Sequence, residues 1–333
     1  MVAAAMISIA VLIGSALGAW LIAQWGERAR RLVVPDHRSS HSVPVPTLGG
    51  IAVVLPVFGW ALFAFEDSAL ARAALLGGVP IALVGLIDDL RELPARIRLP
   101  VHFVGAALAL CSMPMPTLSI GHVAIEPSIL TFVVGLVGLV WLVNLYNFMD
   151  GIDGIAGAQC LVYCIAVVAI GDIEPSGATM PAILAAASAG FLLVNWAPAR
   201  VFMGDVGSGT LGLLVGLLAI DLAVRGIVPF VASLILLTPF WFDATYTLCA
   251  RIATGQQFTV AHRSHAYQKI ARRIGHGWTT TIITAMNLFW LLPLAWFAAS
   301  NPRLWLEVLA VAALPYAIGC IAVRAGIPEA LDR

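Results

Sequence analysis

Apolar runs of close to twenty residues recur along the whole chain, and they restrict its fold more than any other feature. A helix needs about 20 apolar residues to cross the hydrocarbon core of a bilayer. The sequence is 61% hydrophobic and only 11% charged, far from the composition of a soluble domain. It therefore predicts an all-α, polytopic integral membrane protein with about ten or eleven transmembrane helices. The predicted spans are 2–25, 48–65, 69–87, 99–113, 129–146, 154–171, 179–196, 209–224, 227–249, 280–299 and 304–323.

The basic residues indicate how these spans are oriented. If the N-terminus lies outside, every Lys and Arg except Arg72, Arg225 and Arg303 falls on the inner side. This bias is the one that positive charges impose on membrane topology, so we expect the N-terminus outside. Net charge is zero, which gives no indication of nucleic-acid binding. The five cysteines form no CxxC pair and indicate neither a metal site nor a disulfide framework.

No linker is long enough to separate a soluble domain, so residues 1–333 are predicted to form a single membrane-embedded domain. The outer loops are short and chemically plain. The inner loops instead carry polar residues that cost free energy near a bilayer and have no evident structural task. These loops, predicted to face the cytoplasm, are 26–47, 88–98, 147–154, 197–208 and 250–279.

Two adjacent carboxylates end the third predicted span, in the stretch "GLIDDL" at 85–90. Asp88 and Asp89 repel each other, and their cost is explained if a divalent cation or an incoming proton uses at least one of them. The alternative is a solvated helix end at which Arg91 and Arg96 pair with the carboxylates.

A second polar stretch, "NLYNFMDGIDGIAG" at 144–157, follows a long apolar run. Asn144, Asn147 and nearly Asp150 follow one face of a helix, and Asp153 comes in the glycine-rich turn beyond it. The glycines allow close approach of backbone or ligand. The closing Glu of an EF-hand loop is missing. The alternative here is a helix-terminating turn.

The stretch "FMGDVGSGTLG" at 202–212 places Asp205 among glycines at the start of a new helix. Free backbone N–H groups beside an acidic metal ligand suit a magnesium-bound diphosphate. The Lys of a Walker A loop is absent. Asp205 could instead be no more than a helix cap.

Two further inner loops offer donors for phosphate or sugar oxygens. His41 and Thr47 lie in "RSSHSVPVPTLGG" at 38–50, and His262, Arg263 and His265 lie close enough in sequence to bind one anionic group. The alternatives are a polar turn for the first loop and a basic loop that contacts lipid headgroups for the second.

Asp243 lies about two helical turns above the inner end of its predicted span. This position makes it a candidate partner for Arg251 or for the metal site. Asp221 lies toward the outer side and is assigned no role.

The five inner polar segments come from distant parts of the chain and are predicted to converge on one membrane face. Hard oxygen ligands favour Mg²⁺ or Mn²⁺ over zinc, and the basic and glycine-rich segments favour a phosphate-rich substrate. Together these residues resemble the polyprenyl-phosphate N-acetylhexosamine-1-phosphate transferases, which start O-antigen and peptidoglycan lipid intermediates. The resemblance rests on "RSSHSVPVPTLGG", "GLIDDL", "NLYNFMDGIDGIAG", "FMGDVGSGTLG" and "PFWFDATYTLCAR", in the order of the family.

The resemblance implies transfer of an N-acetylamino-sugar 1-phosphate from a UDP-sugar to undecaprenyl phosphate, with UMP released and Mg²⁺ required (Mn²⁺ being an alternative). It also implies a bacterial inner-membrane enzyme whose active site faces the cytoplasm. By similarity, Asp205 would bind the metal. Asp88 would orient or deprotonate the lipid phosphate, and Asp89 would assist it or share the metal.

The same resemblance assigns the remaining polar residues. Asn144 and Asn147 would bind substrate, Asp150 and Asp153 would belong to the catalytic shell, and Phe202 would stack on uracil.

The donors of the two other loops would complete the site. His41 and Thr47 would bind substrate, while His262, Arg263 and His265 would hold the sugar or its phosphate. The family's compact His-x-His-His motif is replaced here by "HRSHAYQ", which leaves the role of each histidine open. The chain looks like the branch that starts O-antigen chains in lipopolysaccharide biosynthesis. The Lys of the peptidoglycan branch is absent, which argues against a UDP-muramoyl-pentapeptide substrate.

A secondary transporter is the alternative from another class, because intramembrane Asp residues often relay ions. Transporter sites, however, tend to lie near the bilayer midplane and between repeated halves. No repeat is visible in this sequence. The identity of the sugar and the formation of a homodimer are left open.

Overall fold

The computed structural model describes residues 2–29, 32–33, 44–120, 123–173, 179–257 and 262–327. Its helices are α1 (Val2–Arg28), α2 (Ile51–Phe63), α3 (Ala69–Leu90), α4 (Ala95–Cys111), α5 (Ile129–Met149), α6 (Ile155–Ile170), α7 (Met180–Asn195), α8 (Asp205–Val224), α9 (Phe230–Leu236), α10 (Thr238–Ala253), α11 (Ala266–Ile274), α12 (His276–Met286), α13 (Leu292–Ser300) and α14 (Trp305–Ala322). A π-helical turn at Asn287–Leu291 joins α12 to α13, and a 3-10 turn at Pro302–Leu304 precedes α14.

The described strands form two short antiparallel hairpins in loops. Leu32–Val33 pairs with Val45–Pro46, and Leu118–Ile120 pairs with Val123–Ile125. The all-α prediction is confirmed, because these hairpins only close loops between helices.

Within the described residues, six helical segments are long and apolar enough to cross a membrane, and the bent pair α9–α10 would make a seventh. Helices α2, α6 and α7 are apolar but shorter. Every predicted span coincides with one of the helical segments, so the polytopic architecture is confirmed. A count of about ten or eleven crossings stays a prediction, because the shorter helices fall below the usual spanning length.

Helix α8 is the central element, and nearly all of its residues are buried. It packs against α3 and α5. Glycine makes the contact with α3 close, since a Cβ on Gly85 would lie 2.6 Å from the carbonyl carbon and oxygen of Asp205. The end of α3 is therefore held directly against the beginning of α8.

The helical path is interrupted between α9 and α10, and the axes of the two helices differ by 71°. Buried amides serve the backbone at this break: Gln159 Nε2 donates to the Leu236 carbonyl at 3.0 Å, and Asn287 Nδ2 donates to Gln159 Oε1 at 3.0 Å. Buried polar groups need such partners, above all in an apolar surrounding. The break redirects α10 and sets the direction in which the loop beyond it leaves the helical bundle.

Candidate active site

Asp205, the first residue of α8, has both carboxylate oxygens engaged. Asn147 Nδ2 of α5 donates to Oδ1 at 2.7 Å, and Arg98 Nη1 of α4 donates to Oδ2 at 2.6 Å. Asn147 also lies 3.3 Å from Ser208 Oγ. Three helices thus meet at this carboxylate.

Asp88 provides a second carboxylate at the same place. Its Oδ1 accepts from the Leu93 backbone N–H, and its Oδ2 accepts from the same Arg98 Nη1. The carboxyl groups of Asp88 and Asp205 therefore share one guanidinium nitrogen. Two carboxylates that come from remote motifs are thus bridged by one cation.

Asp89 faces the backbone of α8. Its two oxygens accept from the N–H groups of Asp205 at 2.9 Å and Val206 at 3.0 Å. A carboxylate at this position satisfies free N–H groups of the first turn and interacts favourably with the helix dipole. Gly204 adopts φ 74°, and a Cβ there would lie 2.6 Å from Asp89 Oδ2. Asp89 thus positions Asp205, while its predicted catalytic role stays a prediction.

The loop before α2 runs beside the start of α8. The Phe202 N–H donates to the Pro46 carbonyl at 2.8 Å, and the Gly49 N–H donates to the Phe202 carbonyl at 2.9 Å. Thr47 Oγ1 would lie 2.7 Å from a Cβ on Gly204, which places this hydroxyl at the edge of the acidic pair. The Phe202 side chain is half-buried. His41 lies outside the described residues.

Asn144 lies one turn earlier on α5 than Asn147. Its Nδ2 donates to the Val140 carbonyl at 2.7 Å and lies 3.4 Å from His102 Nδ1. These contacts place Asn144 against α4, farther from the acidic pair. Its predicted role in substrate binding is neither supported nor contradicted by them.

Asp150 follows the last residue of α5 and is half-buried. Burial raises the pKa of its carboxyl group well above the ordinary value, and the carboxylates of Asp205, Asp89 and Asp153 add to the effect. Asp150 therefore interacts electrostatically with the acidic centre, which consists of the carboxyl groups of Asp88, Asp89 and Asp205.

Asp153 connects three segments near this centre. Its Oδ2 accepts from the Ala199 N–H at 3.1 Å, its Oδ1 lies 3.2 Å from His276 Nδ1, and its carbonyl accepts from Thr280 Oγ1 at 2.8 Å. The carboxylate is only 11% exposed. These contacts fix the loop between α5 and α6 against α12.

The histidines of the last inner loop lie at the start of α11. Asp243 of α10 accepts from the backbone N–H groups of Ala266 and Tyr267, both at 2.9 Å, and its Oδ1 lies 3.3 Å from His265 Nδ1. The sequence predicted Asp243 as a partner of Arg251 or of the metal site. In the structure it holds His265 and the first turn of α11.

The rings of His262 and His265 stack with centroids 5.0 Å apart. Burial lowers the pKa of His262 to about 4, and His265 and Arg251 lower it further while Asp243 opposes them. His262 is therefore a neutral hydrogen-bonding group near pH 7. Arg263 is exposed, so its guanidinium remains accessible to an anion.

Tyr267 links the histidine cluster, which consists of His262 and His265, to the end of α5. Its hydroxyl donates to the Phe148 carbonyl at 2.8 Å, and its ring lies 5.7 Å from that of His265. A Cβ on Gly151 would collide with the same hydroxyl, at 2.2 Å. The histidine cluster and the loop that carries Asp150 are consequently neighbours.

Sequence reasoning missed two residues of this region, Arg98 and His276. Arg98 lies ten residues after Asp88 and 107 before Asp205, and no local pattern marks it among the other arginines. The only available signal was its proximity in sequence to the Asp pair, which also favoured Arg91 and Arg96. Both of these are exposed in the structure.

The donor set fits a magnesium ion bound together with substrate. Magnesium is usually held by one or two protein carboxylates, with waters and substrate phosphates completing its coordination. Asp88 and Asp205 offer such a pair of hard oxygen donors. Among the described residues no group of three His, Cys, Asp or Glu side chains is arranged to hold a metal alone.

Comparison with known proteins shows which family the chain resembles. The model for glycosyl transferase family 4 matches residues 71–223, a range that contains Asp88, Asp89, Asn147 and Asp205. The chain is 24% identical over 291 residues to the "Probable undecaprenyl-phosphate N-acetylglucosaminyl 1-phosphate transferase" of Bacillus subtilis (strain 168), covering 83% of this chain and 79% of the relative. The chain is therefore similar to glycosyl transferase family 4 over residues 71–223, somewhat less than half of its length.

Two further relatives of the chain have related names. It is 27% identical over 257 residues to the undecaprenyl-phosphate alpha-N-acetylglucosaminyl 1-phosphate transferase of Thermotoga maritima, covering 76% of this chain and 77% of the relative. It is 25% identical over 325 residues to the decaprenyl-phosphate N-acetylglucosaminephosphotransferase of Mycobacterium leprae, covering 85% and 81%. The resemblance to the polyprenyl-phosphate N-acetylhexosamine-1-phosphate transferases is thereby confirmed, and the general class is a membrane-bound sugar-phosphate transferase.

Proposed function

We propose that this protein transfers an N-acetylamino-sugar 1-phosphate from a UDP-sugar to undecaprenyl phosphate, giving undecaprenyl-diphosphate-sugar and UMP. The observation that carries the proposal is the convergence of Asp88, Asn147 and Asp205 from three helices at one end of the bundle. This arrangement suits a diphosphate that meets a phosphate whose lipid chain lies along the exposed apolar faces of the helices.

The reaction exchanges one phosphorus–oxygen bond for another. An oxygen of the lipid phosphate attacks the phosphorus that carries the sugar, the bond from that phosphorus to the bridging oxygen breaks, and UMP leaves with that oxygen. The nucleophile already carries negative charge, so we favour direct attack over a covalent enzyme intermediate. Catalysis then depends on positioning and on stabilisation of the phosphate charges.

Asp88 and Asp205 would hold Mg²⁺, with Mn²⁺ as an alternative. The metal would supply charge neutralisation at the diphosphate. Asn147 orients the Asp205 carboxylate through its 2.7 Å hydrogen bond. Asp89 keeps the first turn of α8 in place by accepting two of its N–H groups.

The remaining predicted residues would surround the substrates. Asp150 lies in the electrostatic field of the acidic centre, and Asp153 supports the loop around it. Phe202 offers a half-buried ring for uracil, with Thr47 beside it.

The histidine cluster would take the sugar or its phosphate. His262 and His265 would donate hydrogen bonds there, with the exposed Arg263 guanidinium as a nearby cation. The histidine cluster contacts the end of α5 through the hydrogen bond from the Tyr267 hydroxyl to the Phe148 carbonyl. This contact brings the cluster near the acidic centre.

We further propose that the site faces the cytoplasm at a bacterial inner membrane and that the product starts O-antigen or a related surface polysaccharide. A cytoplasmic site is supported by the excess of Lys and Arg in the loops at this end of the bundle.

The test is to incubate the purified chain with undecaprenyl phosphate, Mg²⁺ and a panel of UDP-N-acetylamino sugars, and to measure UMP release and lipid product. We expect stoichiometric UMP and lipid-linked sugar with at least one sugar, and neither without lipid phosphate. A folded preparation that forms no product with any sugar would refute the proposal. Substrate uptake into vesicles without product would support the transporter alternative instead.

A further inference from the structure

The Arg98 guanidinium lies between the carboxylates of Asp88 and Asp205. These are the two carboxylates that would hold the metal ion in the proposed reaction. Arg98 Nη1 donates to Asp88 Oδ2 and to Asp205 Oδ2, and the Arg98 side chain is 29% exposed. The side-chain exposures of Asp88 and Asp205 are 12% and 28%. One monovalent cation therefore bridges the pair of hard oxygen donors.

Neither carboxylate depends on Arg98 for its position. Asp88 is held by the Leu93 N–H, and Asp205 is held by Asn147 and by the Asp89 contacts with the first turn of α8. Removing the guanidinium would thus leave two prepositioned carboxylates close together. The contribution of Arg98 is mainly its charge, because the geometry is supplied by other groups.

The local charges are also unbalanced while Arg98 is in place. Asp88, Asp89 and Asp205 interact with one another electrostatically, and Arg98 is the cation that acts on all three. One guanidinium cannot neutralise three carboxylates, so the cluster would attract an ion of higher positive charge. A divalent cation would neutralise this cluster better than a guanidinium does.

We propose that Arg98 is a displaceable internal counter-ion, which competes with the divalent cation for Asp88 and Asp205 and leaves them when the cation binds. This inference rests on the proposed function, since it concerns the same metal site. Its consequence is that Arg98 weakens binding of the free cation while stabilising the cation-free protein.

The test measures Mn²⁺ affinity of the purified full-length chain in detergent by the electron paramagnetic resonance signal of free Mn²⁺. We expect Arg98→Gln to bind Mn²⁺ about tenfold more tightly than the wild type, because a competing charge-assisted contact is lost. Arg98→Lys and the matched control Arg96→Gln, an exposed position on the same helix, should stay within about twofold of the wild type. Unchanged or weaker Mn²⁺ binding by Arg98→Gln would overturn the proposal.

A second measurement uses the wild type alone, so it does not depend on the folding of a variant. Phenylglyoxal modifies accessible guanidinium groups, and mass spectrometry reports the rate at each arginine. Saturating Mn²⁺ should accelerate modification of Arg98 and leave that of Arg96 unchanged. A rate at Arg98 that stays constant or falls would count against displacement.

Asp205→Asn separates this inference from the proposed metal site. If the wild type binds Mn²⁺ and Asp205→Asn does not, the metal site stands, and the Arg98 results decide the inference alone. If neither protein binds Mn²⁺ and Arg98→Gln also fails to bind, both the metal site and the counter-ion role are rejected.

Discussion

Asp88 and Asp89 are neighbours in the chain, yet their carboxylates face different partners. Asp88 shares a guanidinium with Asp205, whereas Asp89 accepts two backbone N–H groups at the start of α8. Neighbouring side chains on a helix point in directions about 100° apart, so one turn can serve two tasks. The first carboxylate is available to ligand, and the second maintains the position of Asp205.

The acidic pair gives the first prediction at this scale. Asp205→Asn and Asp88→Asn should each lower the rate of UMP release by roughly 10²-fold or more, because each removes a carboxylate that would hold Mg²⁺ at the substrate diphosphate. Asp221→Asn is the matched control for Asp205→Asn on the same helix. Asp221 lies in the last turns of α8 and pairs with Arg225 at 3.4 Å. Near-normal turnover in either of the first two variants would contradict the site assignment.

Asp150 gives a prediction about pH. Burial and the nearby carboxylates raise its pKa, so the folded state favours the protonated form. This contribution to stability is complete below the ordinary Asp value of 3.8 and is lost as pH rises through the raised pKa. Asp150→Asn does not titrate. At pH values above the raised pKa, the free energy of unfolding of Asp150→Asn should therefore exceed that of the wild type by about 1 kcal/mol or more. In acid, this difference should vanish.

Thermal unfolding in detergent with a chelator, followed across the acidic to neutral range, measures this difference. Asp67→Asn, at an exposed position in a turn, is the control and should show no pH-dependent difference from the wild type. A difference between Asp150→Asn and the wild type that is independent of pH would show that Asp150 is not the titrating group.

At the scale of elements, glycine contacts set how closely the helices that carry the site approach. Gly85 lets α3 touch the first residue of α8, and Gly50 lets the start of α2 approach Gly207, whose Cα would lie 2.3 Å from a Cβ on Gly50. The facing atoms are backbone atoms, so they cannot move aside as a flexible side chain can. Gly85 therefore allows the carboxylate-bearing ends of α3 and α8 to meet, and Gly50 allows α2 to lie beside them.

Gly85→Ala tests this packing. The new methyl group would lie 2.6 Å from the Asp205 carbonyl and would displace the start of α8. We expect turnover to fall by about tenfold or more, because small misplacements of catalytic groups cost large factors in rate. The melting temperature should fall as well.

Gly138→Ala is the matched control within helix α5. No atom lies within 4 Å of a Cβ at that position, so turnover should be unchanged, and stability should rise by roughly 0.5–1 kcal/mol through helix propensity. Equal activity of both variants would mean that the α3–α8 contact does not position Asp205.

At the scale of the whole molecule, the charge distribution predicts which face of the membrane holds the site. The connection between α3 and α4 should be cytoplasmic and the turn between α2 and α3 external. Single cysteines at Glu92 and Asp67, both exposed, report on these two loops after the five native cysteines are replaced. A membrane-impermeant thiol reagent should label Asp67→Cys in whole cells and Glu92→Cys only in inverted vesicles. Labelling of both from the same side would refute this topology.

The class of fold followed from sequence alone. A mean hydropathy of +0.96 and apolar runs of helical spanning length leave a bundle of membrane helices as the solution, because backbone groups in lipid must be hydrogen-bonded within the segment. The break between α9 and α10 was not predicted, since the apolar run continues through Leu237. The side chain that serves the break, Gln159, donates to the Leu236 carbonyl from another helix.

The polar segments that form the site were also found in the sequence, because carboxylates and amides at apolar helix ends are costly and therefore conspicuous. The contacts that each of these residues makes were decided only by the tertiary structure. Asp89 supports α8, Asp243 holds the start of α11, and Arg98 bridges two carboxylates that come from different helices. The physical reason is that composition and periodicity act over one helix, whereas hydrogen bonds of 2.5–3.5 Å between remote residues depend on how closely those helices pack.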